Sequence, residues 1–579
     1  MKQTKKLIFS FLIIFLFINT GGDAEDSKQY WGRTDDGVWE VRKLSEDTSN
    51  FTFGWDLPEA KATKEAFEKN SFNPTTLKST SVPKNVFVHR IGTHSDDDYK
   101  VHIMSDDSIL YYGTTNGTVV FEDLTIPNKT KKDLIIIKTD SDNNIIWNKQ
   151  FGSNYESFIE VSQITSDGDG NIFVAGRYTR QNSFGDFELP QSPWYTGFVA
   201  KINSDGEVNW VRIFEGNDFS DVGKIALDSI GNPVIELNYT RSIVLNGKLY
   251  RAPSPYRLST ELILKLDTED GSTKWIADIQ SSAQNFVWDL EIDQQDNIFI
   301  TGRLSRKLVI DGKTIFSSGN QYNGDGYLLK LDNAGKYLSH ISFPGPTQSY
   351  IMQVGFLCDN SPFIRGGFFQ GLKYKSMDLY YDSLSNYSNG KCCSGTNAAY
   401  FIAKLDENLD IVWHKQISPQ GIGGYNLDSG VNQDRMAIDK DDNVYLNYRS
   451  RSSAYVGLFE HNIGNYSLEG DFYYEIEDSK NIYYNKADIG ILKIDKFGNE
   501  IWLSNFVYDK SSSICRLTQD EVCTYNDYRF GFVSNMELNS KGELYVASVA
   551  RKPLTFEGVE YPVYGNHDTF IHKILEVNK

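Results

Sequence analysis

Five arginines follow short apolar stretches at a nearly constant offset, eight or nine residues beyond a turn: Arg180, Arg241, Arg306, Arg451 and Arg551. Guanidinium groups repeated at one end of a repeat would make a rim that binds anions. The plainer reading pairs each arginine with a local acid, in a chain with acid to spare. The acidic stretches Asp140-Ser141-Asp142-Asn143, Asp167-Gly168-Asp169-Gly170-Asn171 and Asp439-Lys440-Asp441-Asp442-Asn443 invite calcium. Calcium takes six to eight oxygens, and an EF-hand loop needs a bidentate glutamate at its twelfth position. Counted from Asp167 that position is Tyr178. Asp, Asn and Gly are also what tight turns demand, so no metal and no cofactor is assigned. His89, His94 and His102 stand nearest together among the histidines, on strand-like segments where packing or surface roles suffice. G-x-S-x-G, H-E-x-x-H, P-loop and helix-opening G-x-G-x-x-G motifs are all missing. The expectation is a protein without catalysis.

Five cysteines in 579 residues do not make a disulfide scaffold. Cys515 and Cys523 are close enough to staple one loop, and Cys358 could meet Cys392 or Cys393. Such pairing suits an oxidising compartment. The start of the chain agrees. Lys2, Lys5 and Lys6 precede an apolar run from Leu7 to Ile18, and Gly22-Asp23-Ala24 offers small residues for cleavage. This reads as a secretory signal over 1–24, too short to span a bilayer. The mature protein is then expected to be secreted, extracellular or at the cell surface, with no membrane span. The net charge is −19, and losing 1–24 leaves −21. A surface this acidic repels phosphate backbones, which excludes nucleic acid as a partner. Six N-x-S/T sequons permit glycosylation and argue nothing more.

The elements that carry these residues repeat. Strands bearing Lys138, Lys201, Lys265, Lys330, Lys404, Lys493 and Lys573 alternate with turn-and-strand halves near Asp107, Gly170, Gly231, Asp296, Asn360, Asp442 and Lys541. In one unit, Phe198–Ile202 alternates faces, Asn203–Gly206 turns, and a strand carrying Trp210 follows. Ile225–Asp228 and Val234–Tyr239 flank a second turn. Period-2 apolar runs bounded by Asp, Asn and Gly are strands joined by tight turns. The four strands are named a to d, with lysine on a and tryptophan on b. Trp147, Trp210, Trp275, Trp413 and Trp502 recur, and Tyr337 replaces tryptophan in the fourth unit. Fixed-period strand units predict an all-β, seven-bladed β-propeller of four-stranded blades over 84–579. Strands b, c and d at the start (86–90, 99–104, 109–113) would join strand a at the end (569–574) to close the ring. Residues 25–83 are an aromatic-rich segment, with a helix expected over Pro58–Asn70.

The unit resembles the SBBP-type β-propeller repeat, which runs D-x-F-x-x-K-x-D, then G-x-x-x-W, then D-x-x-G-N-x-Y-x-x-G. The match is clearest over 133–371 and traceable over 399–575. The resemblance implies a surface or secreted propeller and transfers no site residue. A second likeness is narrower. Asp267–Gly271 with Trp275 resembles the docking motif of quinoprotein dehydrogenase propellers, and adjacent Cys392-Cys393 is similar to the neighbouring-cysteine disulfide some of them carry. Those enzymes have eight blades, against seven here.

Function is expected where the repeat breaks. Lysine-to-lysine spacing is 63, 64 and 65, then 74, 89 and 80. The extra residues fall at 372–398 and 452–487 between strands d and a, and at 414–433 and 507–530 between b and c. In an antiparallel blade all four insertions lie on one face. Tyr374, Tyr380, Tyr381, Tyr425, Tyr473, Tyr474 and Tyr525 stand in them. Tyrosine among small polar residues suits a contact surface, so the partner expected there is a protein or a glycan. A purely structural surface-layer or appendage role is the alternative.

Overall fold

The structure is a computed structural model that describes residues 29–34, 39–43, 51–53, 81–92, 98–129, 132–152, 157–252, 260–281, 285–318, 324–345, 348–368, 371–375, 377–380, 399–418, 436–449, 462–463, 466–467, 474–477, 480–483, 489–506, 515–516, 532–550, 554–556, 559–563 and 568–578. The signal expected over 1–24 and the helix expected over Pro58–Asn70 lie outside these residues. Gln29–Thr34, Trp39–Lys43 and Phe51–Phe53 form a small antiparallel sheet that the aromatic composition alone did not announce.

Seven four-stranded antiparallel sheets form the propeller. Each is ordered c-d-a-b. Blade two shows the plan: Phe158–Ser166, Ile172–Thr179, Thr196–Ile202 and Val208–Phe214. Successive c strands pack on one another, so c is the inner strand of every blade and b the outer. Strand a is covered by a neighbouring blade on each side. Accordingly Asp133–Thr139, Thr196–Ile202 and Thr260–Leu266 are buried at every position. They read as continuous apolar runs for that reason. Outer strands such as Ile145–Phe151 are exposed or half-buried at every position but the last.

The ring closes by pairing an N-terminal strand with the C-terminal strand, and the split differs from expectation. Ser81–Gly92 is the outer strand of blade seven, paired with Asp568–Asn578 from Ser81↔Asn578 to Ile91↔Thr569. Blade seven therefore takes three strands from the end of the chain and one from the start. Strands Asp98–Ile103 and Ile109–Thr115 belong to blade one, with Asp133–Thr139 and Ile145–Phe151. The repeat was cut before strand a, whereas the sheet is cut before strand c. Strands d and a pair across their link, as Ile172↔Ile202 to Tyr178↔Thr196 shows, and tight turns on both sides give the sequence no reason to prefer either cut. The ring begins at Ser81 rather than at 84.

That d–a link holds a hairpin not expected from the sequence. Asn182–Phe184 pairs with Phe187–Leu189, Ser242–Leu245 with Lys248–Arg251, Lys307–Ile310 with Lys313–Phe316, and Gly371–Tyr374 with Met377–Tyr380. Each hairpin reaches back to the outer strand of the preceding blade. Gln280 and Ser281 of blade three pair with Val309 and Leu308 of blade four, and Ile91 and Gly92 of blade seven with Phe121 and Val120 of blade one. Phe151 and Phe184 stack at 4.0 Å across the seam between blades one and two. The signal was present in Asn246-Gly247 and Asp311-Gly312, whose positive φ values (50°, 76° and 49°, 73°) are those of a two-residue hairpin turn.

The recurrent lysines, tryptophans and turn aspartates are architectural. Trp147, Trp210, Trp275 and Trp413 each donate the indole N–H to a carbonyl in the a–b turn of the next blade: Ser204, Thr268, Asn333 and Lys496, at 3.0 to 3.1 Å. The indole face lies against a glycine of that turn. A Cβ on Gly271 would sit 2.8 Å from Trp210 Cε3, and one on Gly335 2.8 Å from Trp275 Cε3. In blade four the register puts Ser339, not Tyr337, opposite the lysine; Tyr337 faces Leu331. The corresponding turn glycine is Leu409, which is buried with Leu328 and Ile341 of blade four. A large residue on one side answers a small one on the other. Four of the lysines come within 3.3 Å of an acid in the c–d turn of their own blade: Lys265–Asp228 at 2.5 Å, Lys404–Asp359 at 2.9 Å, Lys493–Asp439 at 3.3 Å and Lys573–Glu543 at 2.7 Å; Lys201 instead donates to the Thr268 carbonyl that Trp210 also uses.

Candidate functional site

In each sheet the a–b and c–d turns lie on one face, and the d–a hairpins and b–c links on the other. The second is the loop face. In blade six, Lys480–Tyr483 of the d–a insertion pairs with Cys515–Arg516 of the b–c insertion, through Ile482↔Arg516 and Tyr483↔Cys515. Tyr474–Glu477 completes a three-stranded sheet. Two insertions far apart in sequence are thus one element on the loop face.

The expected contact residues divide. Tyr374 is half-buried in the blade-five hairpin, its ring 5.5 Å from Phe343 of the preceding blade. Leu372, Met377 and Leu379 beside it are core residues. The first part of the 372–398 insertion is therefore the hairpin that other blades also carry. Tyr380 and Tyr474 stand on strands Met377–Tyr380 and Tyr474–Glu477. Tyr381, Tyr425, Tyr473 and Tyr525 lie outside the described residues.

Arg180, Arg241 and Arg306 occupy one position in three successive blades, exposed, with φ of 60°, 59° and 64°. Each sits where strand d gives way to the hairpin. Its carbonyl accepts an N–H from the residue that leaves the hairpin: Ser192, Ala252 and Ser317. The recurrence marks a pivot. Arg241 also pairs with Asp218 at 3.2 Å, the local acid that the plainer reading expected. Arg451 and Arg551 lie outside the described residues.

Other candidates are scattered or committed. Cys358 is exposed in the c–d turn of blade five and unpaired among the described residues, its Sγ 3.2 Å from the Lys440 carbonyl. Cys392, Cys393 and Cys523 are outside the described residues, and Cys515 lies on its short strand. Asp140 and Asp167 spend their carboxylates on their own turns. Asp167 Oδ1 accepts from the N–H of Asp169 and Asn171, and Oδ2 from the Asn171 amide; Asp140 does the same with Asp142 and Asn144. His89 pairs with Glu122, while His102 bridges Glu537 and Ser166. The Asp267–Trp275 stretch is one copy of the inter-blade peg.

Two polar groupings within the blades were missed. In the first, Arg177 Nη2 lies 2.7 Å from Glu160 and Nη1 3.5 Å from Asp221 of the next blade, with its guanidinium 4.3 Å from the Tyr195 ring. Burial pushes the Glu160 carboxyl up, but Lys132 and Arg177 outweigh it and hold the group below its usual range. Arg303 takes the matching place in blade four, 4.6 Å from the Phe286 ring. In the second, Glu236 and Glu261 are buried in blade three. Burial pushes Glu261 up to about 8 and Glu236 well above the usual range. The available signal was a charged residue inside an apolar strand, in Val234–Tyr239 and Thr260–Leu266.

No family model matches the chain, and no curated protein does. Solved structures are similar at a distance. A protein of unknown function from Bacteroides caccae is 11% identical over 70% of this chain and 98% of its own, with a TM-score of 0.31. Puromycin hydrolase is 8% identical over 80% of this chain and 59% of its own, at 0.35. The extracellular domain of a putative hybrid two-component system from B. thetaiotaomicron is 10% identical over 96% and 75%, at 0.17. Likenesses of this size bear on neither activity nor partner. No described helix is long and apolar enough to cross a membrane.

Proposed function

We propose that this protein is a non-catalytic binding module of the cell exterior, and that it docks a protein or glycan on the loop face over blades five and six. The carrying observation is the composite sheet of blade six, in which strand Lys480–Tyr483 pairs with Cys515–Arg516. A rigid ring fixes the roots of its loops while their sequences vary, so recognition concentrates there. The tight-turn face offers short turns whose side chains are spent on their own backbone. Replacing 452–487 and 507–530 with short links, while keeping the Gly371–Tyr380 hairpin for its buried Leu372 and Met377, tests the reading. Long loops add little closure entropy, so the ring should keep its melting temperature. Capture of the native surface partner should be lost. A trimmed protein that binds at full strength would place the partner elsewhere.

A further inference from the structure

The seam between blades three and four departs from the others. On strand Pro233–Tyr239, Ile235, Leu237 and Tyr239 pack toward blade two, so Val234, Glu236 and Asn238 face blade four. On Thr260–Leu266, Leu262, Leu264 and Leu266 pack toward blade two, so Glu261, Ile263 and Lys265 face blade four. Asn238 pairs with Glu261 in the register, making Glu236 and Glu261 diagonal neighbours on one face. At the position of Glu236, blades two, four and seven carry Ala175, Thr301 and Ala547, while blades five and six carry Arg365 and Asn447, which bond to each other across their seam. At the position of Glu261, blades two and four carry Gly197 and Gly326, which donate their N–H to Ser220 and Ser349 of the next blade. Blade three thus places two carboxyl groups in a seam where blades two and four carry small residues.

Those carboxyls are 4% and 1% exposed, and the groups facing them from blade four, Asn285 and Tyr327, are at 0%. Asn285 Nδ2 donates to Glu261 Oε2 at 3.2 Å. The Tyr327 hydroxyl and the Asn285 amide lie against each other, but neither the hydroxyl nor Asn285 Oδ1 has a hydrogen bond of good geometry, and Tyr327 lies close enough to feel the charge of both Glu261 and Glu236. Asp221 adds a third negative charge near Glu236, against the Gly223 N–H and the Lys224 ammonium. That ammonium sits 4.0 Å from Asp289 of blade four. Two buried carboxyls therefore share their site with oxygens short of donors and with the one Lys224 ammonium, and buried charge in excess of its counter-charge costs several kcal/mol per ion.

We propose that this seam binds one divalent cation of the calcium class, held by Glu236 and Glu261 with the Asn285 amide oxygen and the Tyr327 hydroxyl. The donor set is oxygen throughout, as hard cations prefer, and calcium's flexible coordination number lets water complete it. A doubly charged ion neutralises both carboxylates and satisfies the stranded oxygens at once. The turn aspartates are excluded as its ligands by their own hydrogen bonds.

The test uses the full chain, chelator-treated, at pH 8.5. Calcium chloride should raise the melting temperature by several degrees over sodium chloride of equal ionic strength, and equilibrium dialysis with radioactive calcium should find one ion per chain. The double variant Glu236→Gln, Glu261→Gln should lose both effects while melting no lower than the calcium-free parent, because carboxamides carry no charge to repel. If the double variant does not fold, Glu261→Gln alone should weaken calcium binding at least tenfold. No calcium-dependent shift in the parent would overturn the site and leave the seam holding protons. A shift that survives the substitutions, or follows sodium as well as calcium, would overturn it equally.

Discussion

Single residues hold the blades in register, and they do so in pairs drawn from neighbouring blades. Gly271 has φ of +69° with Trp210 against its α-carbon, while Gly247 has φ of +76° and open space within 4 Å of where a methyl group would sit. Alanine costs roughly 1–2 kcal/mol for the left-handed backbone at either site. Overlap with a packed ring adds about 1–3 kcal/mol at Gly271 alone. Gly271→Ala should therefore lower stability clearly more than Gly247→Ala in denaturant melts, and equal effects would remove the tryptophan peg from the account. The buried acids make a second prediction. Glu261 is raised from 4.5 to about 8 by burial. Between those values the unfolded chain has released the proton and the folded protein keeps it, so stability falls as pH rises from about 4.5 to about 8 and then levels. In chelator-treated protein, Glu261→Gln should flatten that decline, gaining on the parent by on the order of a few kcal/mol at the alkaline end. Parallel pH profiles would show that Glu261 titrates normally.

At the scale of elements, the hairpin between strands d and a seals each seam. Lys307–Ile310 of blade four buries Leu308 and Ile310 in the core shared with blade three, while Val244 on the blade-three hairpin is 58% exposed. Leu308→Ala should destabilise by about 2–5 kcal/mol through lost burial and the cavity left behind. Val244→Ala should stay within about 0.5 kcal/mol of the parent. Chemical unfolding of the two variants decides this, and a small loss at Leu308 would mean that the hairpin rides on the ring without sealing it. The same element explains why Tyr374 is half-buried and why Arg180, Arg241 and Arg306 recur. The first packs a seam; the others sit where the chain pivots into the hairpin.

For the whole molecule, closure rests on one strand. Ser81–Gly92 supplies the outer edge of blade seven, and Phe121 of blade one pairs onto it through Ile91. Removing residues 1–80 should leave a ring that melts cooperatively. Removing 1–92 exposes the edge of Asp568–Asn578, which is a template for pairing with another chain. That protein should associate or aggregate, with a lower melting temperature. Light scattering and calorimetry on the two truncations check it; a monomeric, equally stable 93–579 chain would show that the outer strand is dispensable.

Lysine spacing, period-2 strands and Asp-Gly turns determined the seven-fold repeat and the four strands of each unit, because both depend on local alternation and chain direction. Local pattern could not decide which strands share a sheet. Turns a–b and c–d are equally tight, and only the d–a pairing, set by packing between blades, places the cut before strand c and leaves a single N-terminal strand to close the ring. It could not tell Tyr337 from Ser339 as the substitute for tryptophan, since a bulge shifts the register between Lys330 and Leu331. Nor could it find Glu236, Glu261, Asn285 and Tyr327 together. They come from four strands of two blades; Glu236 and Glu261 each stand out inside an apolar strand, but only burial against the facing blade brings the four together.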